Sequence, residues 1–362
     1  MRQKWFIYIL LTALTSVHIS AQEVITGLSR NNQLAGATTT PRLKGAAADE
    51  PVQLPFIDDF SADSLFPSSD RWSDMLAFIN NTFSVRQPSQ GVATFDCLDE
   101  RGLLYDGASQ LVFPADSLTS LAINLEYLPS DSIWLSLMYE AGGIADLPES
   151  DDSLTLSFWA PGEEKWYSIW HAGGGPTDGF RHVMIPVKDS RFLLNGFRFM
   201  FMNHASLADV VTEPSQAGNA DQWNIDHVFL DKERRYNDTV LHDVAMTLPQ
   251  RSLLKEYEAM PWRRFKQAYL SAMSPTAAIN YRNNDTIVRN VTRQVSIKNI
   301  VTGAVVRDFN AGASNVSPLS DVKYDAPLLY TYDSNAADSA LFEVTVSLIT
   351  DDFDPKRNDT IR

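Results

Sequence analysis

The 362-residue chain holds a single cysteine, Cys97. One thiol excludes an intramolecular disulfide, so every domain must stand on its apolar core. Asp96, Asp99 and Glu100 flank that thiol, and neighbouring acids raise a thiol pKa, which argues against a nucleophile. Histidines at zinc-site spacing are missing: His171, His182, His204, His227 and His242 are scattered. No serine-nucleophile elbow is present. Gly173-Gly174-Gly175 lies between predicted strands with no helix after it, so it reads as a loop and not a phosphate cradle. Positive charge is also scarce, with 30 Lys and Arg against 45 Asp and Glu, a formal net charge of −15. A surface that acidic repels phosphate backbones and excludes nucleic acid as an expected partner. Few of the groups that build active sites are left, so the expectation is a protein that is not an enzyme.

Long apolar runs are missing too, with one exception at the start. Arg2 and Lys4 precede the uncharged run Trp5 to Val17, and Ser20-Ala21-Gln22 follows. The run is shorter than the roughly 20 residues that span a bilayer. This pattern predicts a signal peptide over 1–21 and an exported protein. Its removal takes Arg2 and Lys4 away and moves the net charge from −15 to −17. No cysteine follows the expected cut, so a lipid anchor there is not expected.

Residues 22–50 are rich in Ala, Thr, Asn and Gly and read as a flexible leader. From Leu54 onward, short aromatic and β-branched runs alternate with Asp, Ser, Gly and Pro clusters. This texture predicts an all-β chain, with a jelly-roll β-sandwich over 51–232. In the run 196–203, Phe197, Phe199 and Phe201 share one face of a strand, and Arg198, Met200 and Met202 share the other. A charged seam opens a linker over 233–274. A short helix is expected from Ser252 to Phe265, with Pro261 breaking it. Strand texture returns over 275–352 and suits a smaller Ig-like β-sandwich, with Thr302-Gly303 at a hairpin tip. Residues 353–362 read as the start of a linker to a further domain.

Residues 54–231 resemble the jelly-roll modules of MAM and gingipain-adhesin type in Bacteroidota surface proteins. The resemblance rests on ordered short signatures. Pro55-Phe56-Ile57-Asp58-Asp59-Phe60 with Trp72 is similar to the opening acidic-aromatic strand. Glu163-Glu164-Lys165-Trp166 is similar to a turn-Trp hairpin. Gln222-Trp223-Asn224-Ile225-Asp226-His227-Val228 is similar to the closing strand, although relatives usually carry a second Asp where His227 stands. The resemblance implies an accessory or cargo role near type IX secretion and gliding machinery. It also implies a structural calcium pinning the opening and closing strands, with Asp58, Asp59 and Asp226 at the matching positions. Calcium takes six to eight oxygens, and carboxylates are the natural donors. Without calcium, the same acids would cap strands and satisfy buried backbone donors.

Two further features have double readings. Alternation is expected to put Trp166, Ser168 and Trp170 on one strand face, where the aromatics could stack on sugar rings. The same residues could equally fill a sandwich core, their commoner use. Asp-Ser/Thr-apolar triplets recur, among them those of Ser132, Thr239 and Thr286. They resemble the O-glycosylation acceptor of exported Bacteroidota proteins, but Asp-Ser and Asp-Thr also open turns. The expected function is a non-catalytic, exported cell-surface or secretion-associated interaction protein. Its partner would be a protein or glycan at the cell surface, with peripheral association at the outer membrane. The alternatives are a carbohydrate-binding module or adhesin, and the non-catalytic region of a longer secreted enzyme.

Overall fold

A computed structural model describes residues 30–37, 50–61, 64–208, 220–328, 339–351 and 358–361. The predicted signal peptide and most of the predicted leader lie outside the described residues. The first part of the chain holds helix α1 (Asn32–Ala35) and strands β1 (Phe56–Asp58), β2 (Phe78–Asn80), β3 (Val92–Phe95), β4 (Phe113–Thr119), β5 (Ile123–Asn124) and β6 (Ile133–Ala141). Strands β7 (Ser153–Ala160), β8 (Lys165–Gly173), β9 (Arg181–Val187), β10 (Asn195–Ala205) and β11 (Trp223–Asp231) follow. They form two antiparallel sheets. One runs β2-β3-β11-β6-β9 with β1 on β11, and the other runs β4-β10-β7-β8 with β5 on β10.

The strands form because their apolar residues recur every second position. Along β7, Leu154, Leu156, Phe158 and Ala160 are buried while Ser153, Thr155, Ser157 and Trp159 are half-exposed. Along β10, Phe197, Phe199 and Phe201 all point into the core, as the sequence implied. They meet Leu135 and Leu137 of β6 and Trp223, Ile225 and Leu230 of β11 in one cluster. Phe199 also packs edge-on against Phe56 and Trp72, which ties the opening strand into the sandwich.

The second part is a smaller sandwich. Strands β12 (Val244–Met246), β13 (Thr276–Asn283) and β16 (Ser320–Pro327) make one sheet. Strands β14 (Arg289–Asn299), β15 (Val305–Val316), β17 (Phe342–Ile349) and β18 (Thr360–Ile361) make the other. The Asn299 to Ala304 turn joins β14 to β15, with Gly303 at φ 74°, a left-handed conformation that suits glycine. The all-β class and the order of a jelly roll followed by an Ig-like sandwich are as expected.

Three boundaries differ from the sequence reading. Helix α2 (Trp262–Ala272) starts directly after Pro261 instead of ending there. Proline lacks an N–H, which an interior helix position needs but a helix start does not. Strand β12 comes from the expected 233–274 linker and pairs with β13. Thr360 and Ile361, expected within a linker, pair with Ser347 and Val346 as an added strand of the second sheet.

The two sandwiches meet over the loop 81–91, which lies on the outer face of the first sheet. A buried polar ladder holds that loop: Asn80 donates to Thr94, Thr94 to Asn224 (2.7 Å each), and Asn224 to Glu140. Val85 N–H donates to the same Glu140 at 3.0 Å. The loop in turn reaches the second sandwich. Gln90 N–H and Gln87 Nε2 each donate at 2.6 Å, to the Met246 and Thr247 carbonyls. Asn284 Nδ2 donates to the Pro88 carbonyl at 2.8 Å.

Candidate functional site

The opening and closing strands bring Asp59 and Asp226 into the joint between the sandwiches, but their oxygens already have donors. Asp226 accepts from His227 N–H at 2.6 Å and from Ser89 Oγ at 3.3 Å. Burial, reinforced by the charge of Asp59, pushes the Asp226 carboxyl well above the usual range. Asp59 accepts from Ser61 and from Asn358 Nδ2, which donates also to Asp243. Asp58 accepts from Trp72 Nε1 at 2.7 Å and from Phe60 N–H. Asp58, Asp59 and Asp226 are not among the groups of acids and histidines close enough together to share a cation. These contacts are of the strand-capping and donor-satisfying kind.

The predicted pairing of Trp166 with Trp170 is corrected by a bulge. Strand β8 pairs with β7 so that Trp166 faces Trp159, Tyr167 faces Phe158 and Ser168 faces Ser157. The register then slips, and Trp170 faces Leu156. The extra residue, Ile169, reverses the alternation. Trp170 therefore turns to the core side, packs against the main cluster and meets Tyr139 edge-on at 5.3 Å. Trp166 turns outward with Trp159, and their rings lie 5.4 Å apart at 57°.

That outward side of the β4-β10-β7-β8 sheet carries an organised set of residues. Register places Arg198 beside Trp159 and Trp166 in one row. The next row is Thr119, Met200, Ser157 and Ser168. Ser117, Met202, Thr155 and His171 form the third. All of these side chains are half-buried or exposed. A ridge of two indoles and two thioethers thus lies among hydroxyls, an imidazole and a guanidinium.

A different acidic group has the geometry for a cation. Glu149 and Asp152 lie on the β6–β7 loop, and Asp221 precedes β11 in a bridge with Asp146. One carboxylate oxygen from each of the three lies within 4.8 Å of the others. Asp152 and Asp221 are each 1 % exposed, and Glu149 is exposed. Burial first, then their mutual repulsion and Glu149, lift Asp221 to about 9. Burial and Glu149 lift Asp152 to about 6. The triglycine segment has its use here. A Cβ on Gly174 would lie 1.7 Å from the Glu149 carbonyl oxygen, so only glycine lets β8 approach this loop. Sequence separation hid the cluster: its members lie on two loops far apart in the chain.

The expected modification positions are placed unequally. Ser132 Oγ donates to the Arg234 carbonyl at 2.7 Å and accepts from Trp134 Nε1. Thr239 and Thr286 are exposed and line one cleft between the sandwiches with Arg86 and Arg282. In the Thr286 triplet, Asp285 accepts from Thr286 N–H, the turn-opening role.

No family model and no curated protein matches the chain. Among solved structures, it is similar to a mutant of a family 29 carbohydrate-binding module at 9 % identity, covering 51 % of this chain and 98 % of that one, with a TM-score of 0.28. A second is a non-crystalline cellulose specific carbohydrate-binding module, CBM28, at 11 % identity over 43 % of this chain and 79 % of that one, TM-score 0.24. A third is a putative glycoside hydrolase from Bacteroides thetaiotaomicron at 10 % identity over 47 % and 59 %, TM-score 0.26. Likeness of this degree says nothing about what this chain binds.

Proposed function

We propose that the chain is an exported, non-catalytic surface module that binds carbohydrate on the outer side of its β4-β10-β7-β8 sheet. The observation that supports this is the half-exposed ridge of Trp159, Trp166, Met200 and Met202 bordered by Arg198, His171 and strand hydroxyls. Apolar side chains on the open side of a sheet are disfavoured unless a partner covers them. Sugars match this mixture. Their C–H faces pack on indole rings, and their hydroxyls take hydrogen bonds from the flanking polar groups. The resemblance to Bacteroidota surface jelly rolls and the N-terminal export pattern fit the same reading.

A glycan array probed with the full chain tests it. The expected result is a bound glycan whose affinity falls at least about tenfold in both Trp159→Ala and Trp166→Ala, with unchanged circular dichroism. Binding of a protein instead, lost in the same variants, would move the reading to a protein-interaction face. Binding that survives both substitutions would remove this face from the account.

A further inference from the structure

The Glu149, Asp152 and Asp221 group joins parts of both sheets of the jelly roll. Glu149 and Asp152 connect β6 of the first sheet to β7 of the second. Asp221 leads into β11 of the first, and Ser206 follows β10 of the second. Ser206 fixes Asp221: its N–H donates to Asp221 Oδ2 at 2.6 Å, and its hydroxyl lies 3.4 Å from an oxygen of each aspartate. Glu149 N–H donates to Asp152 Oδ2 at 2.9 Å.

No N–H or hydroxyl group donates to the other oxygen of Asp152. Asp152 Oδ1 is sealed from solvent, in a side chain 1 % exposed, and no donor reaches it. A buried carboxylate oxygen without a donor is strongly disfavoured. Among the described residues, no Lys, Arg or His ion-pairs with any of the three acids. Elsewhere the molecule does neutralise a buried aspartate: Asp285 has Arg289 at 2.6 Å and His242 at 3.1 Å. Two arrangements could relieve the acidic group, a proton held between the aspartates or a cation. A single proton joins two of the three carboxylates at a time and leaves the third facing them. A hard divalent cation serves all three carboxylates, and calcium completes its shell with water and carbonyl oxygens. Exposed Glu149 leaves a path for entry.

We infer that Glu149, Asp152 and Asp221 bind a calcium ion that staples the two sheets of the jelly roll at this end, with Ser206 positioning Asp221. The site is separate from the opening- and closing-strand acids and independent of the glycan reading.

The test uses the full chain stripped with EGTA. Calcorimetric titration with CaCl2 should show binding, and 1 mM calcium should raise Tm by about 5 °C or more. Asp221→Asn keeps the acceptor for Ser206 N–H. It should abolish the calcium response and melt in EGTA no lower than the wild type, since one buried charge is gone. If Asp221→Asn fails to fold, Glu149→Gln at the exposed position decides, with calcium affinity expected to fall at least about tenfold and the Tm in EGTA unchanged. The inference is overturned if the wild type gives no heat and no Tm shift. It is equally overturned if the calcium response persists in the variant that folds, because the ion then sits elsewhere or the aspartates share a proton.

Discussion

The two outer faces of the jelly roll invert the usual arrangement. The outer side of the β2-β3-β11-β6-β9 sheet carries Thr94, Ser136, Glu140, Asn224 and Asp226, all buried. The outer side of the other sheet carries Trp159, Trp166, Met200 and Met202, all half-exposed. Polar groups are covered where a hydrogen-bonded ladder seats the 81–91 loop and, through it, the second sandwich. Apolar groups stay open where nothing among the described residues is laid over them. The polar face is thus specified for one fixed partner, the chain itself. The apolar face is the one on which the proposed carbohydrate binding rests.

The sharpest way to break this comparison lies within one strand. Trp170→Ala removes a ring from the core and should cost about 3 kcal/mol in denaturant unfolding. Trp166→Ala, four residues earlier, should cost less than about 1 kcal/mol because it faces outward. Equal losses would mean that the bulge at Ile169 is absent in solution.

The covered face gives the next largest effect. Asp226→Ala leaves the His227 N–H without its acceptor and the Ser89 hydroxyl with only the Asp59 carbonyl at 3.4 Å, a loss of about 2 kcal/mol. Asp226→Asn keeps an acceptor oxygen and should be milder by the same assay. A third experiment uses pH. Burial lifts Asp96, just after β3, to about 7, against about 3.9 in an unfolded chain. The folded state therefore holds a proton that the unfolded chain has released. This contribution to stability is complete below about pH 4 and is lost as pH rises toward 7. Unfolding midpoints measured over that window should show the decline, and Asp96→Asn should make it shallower, the remainder coming from Asp152, Asp221 and Asp226. The smallest effect belongs to the joint. Asn284→Ala deletes the hydrogen bond to the Pro88 carbonyl and the one accepted from Arg282 Nε, and should cost about 1–2 kcal/mol, read by hydrogen exchange as faster opening of the 81–91 loop.

Much of the fold was legible because it rests on alternation. The Phe197, Phe199 and Phe201 stripe and the β7 pattern are local, and burial follows them. What escaped depends on single residues or on distant ones. One inserted residue, Ile169, separates Trp166 from Trp170, and nothing in Lys165-Trp166-Tyr167-Ser168-Ile169-Trp170 announces a bulge. Val244 to Met246 is too short to stand out from the polar stretch around it, yet β13 pairs with it. The closeness of Asp59 to Asp226 was legible in the sequence, but their hydrogen-bond donors were not. Their donors, Ser89 and Asn358, come from a loop and from the end of the chain. Glu149, Asp152 and Asp221 are drawn together only by the closure of the sandwich.

The most direct measurement is glycan affinity of the full chain against the paired variants Trp159→Ala and Trp166→Ala, with Trp170→Ala tested below its own melting range. The account predicts at least a tenfold loss in the first two and near-native affinity in the third. Loss confined to Trp170→Ala, or no glycan bound by the wild type, would contradict it.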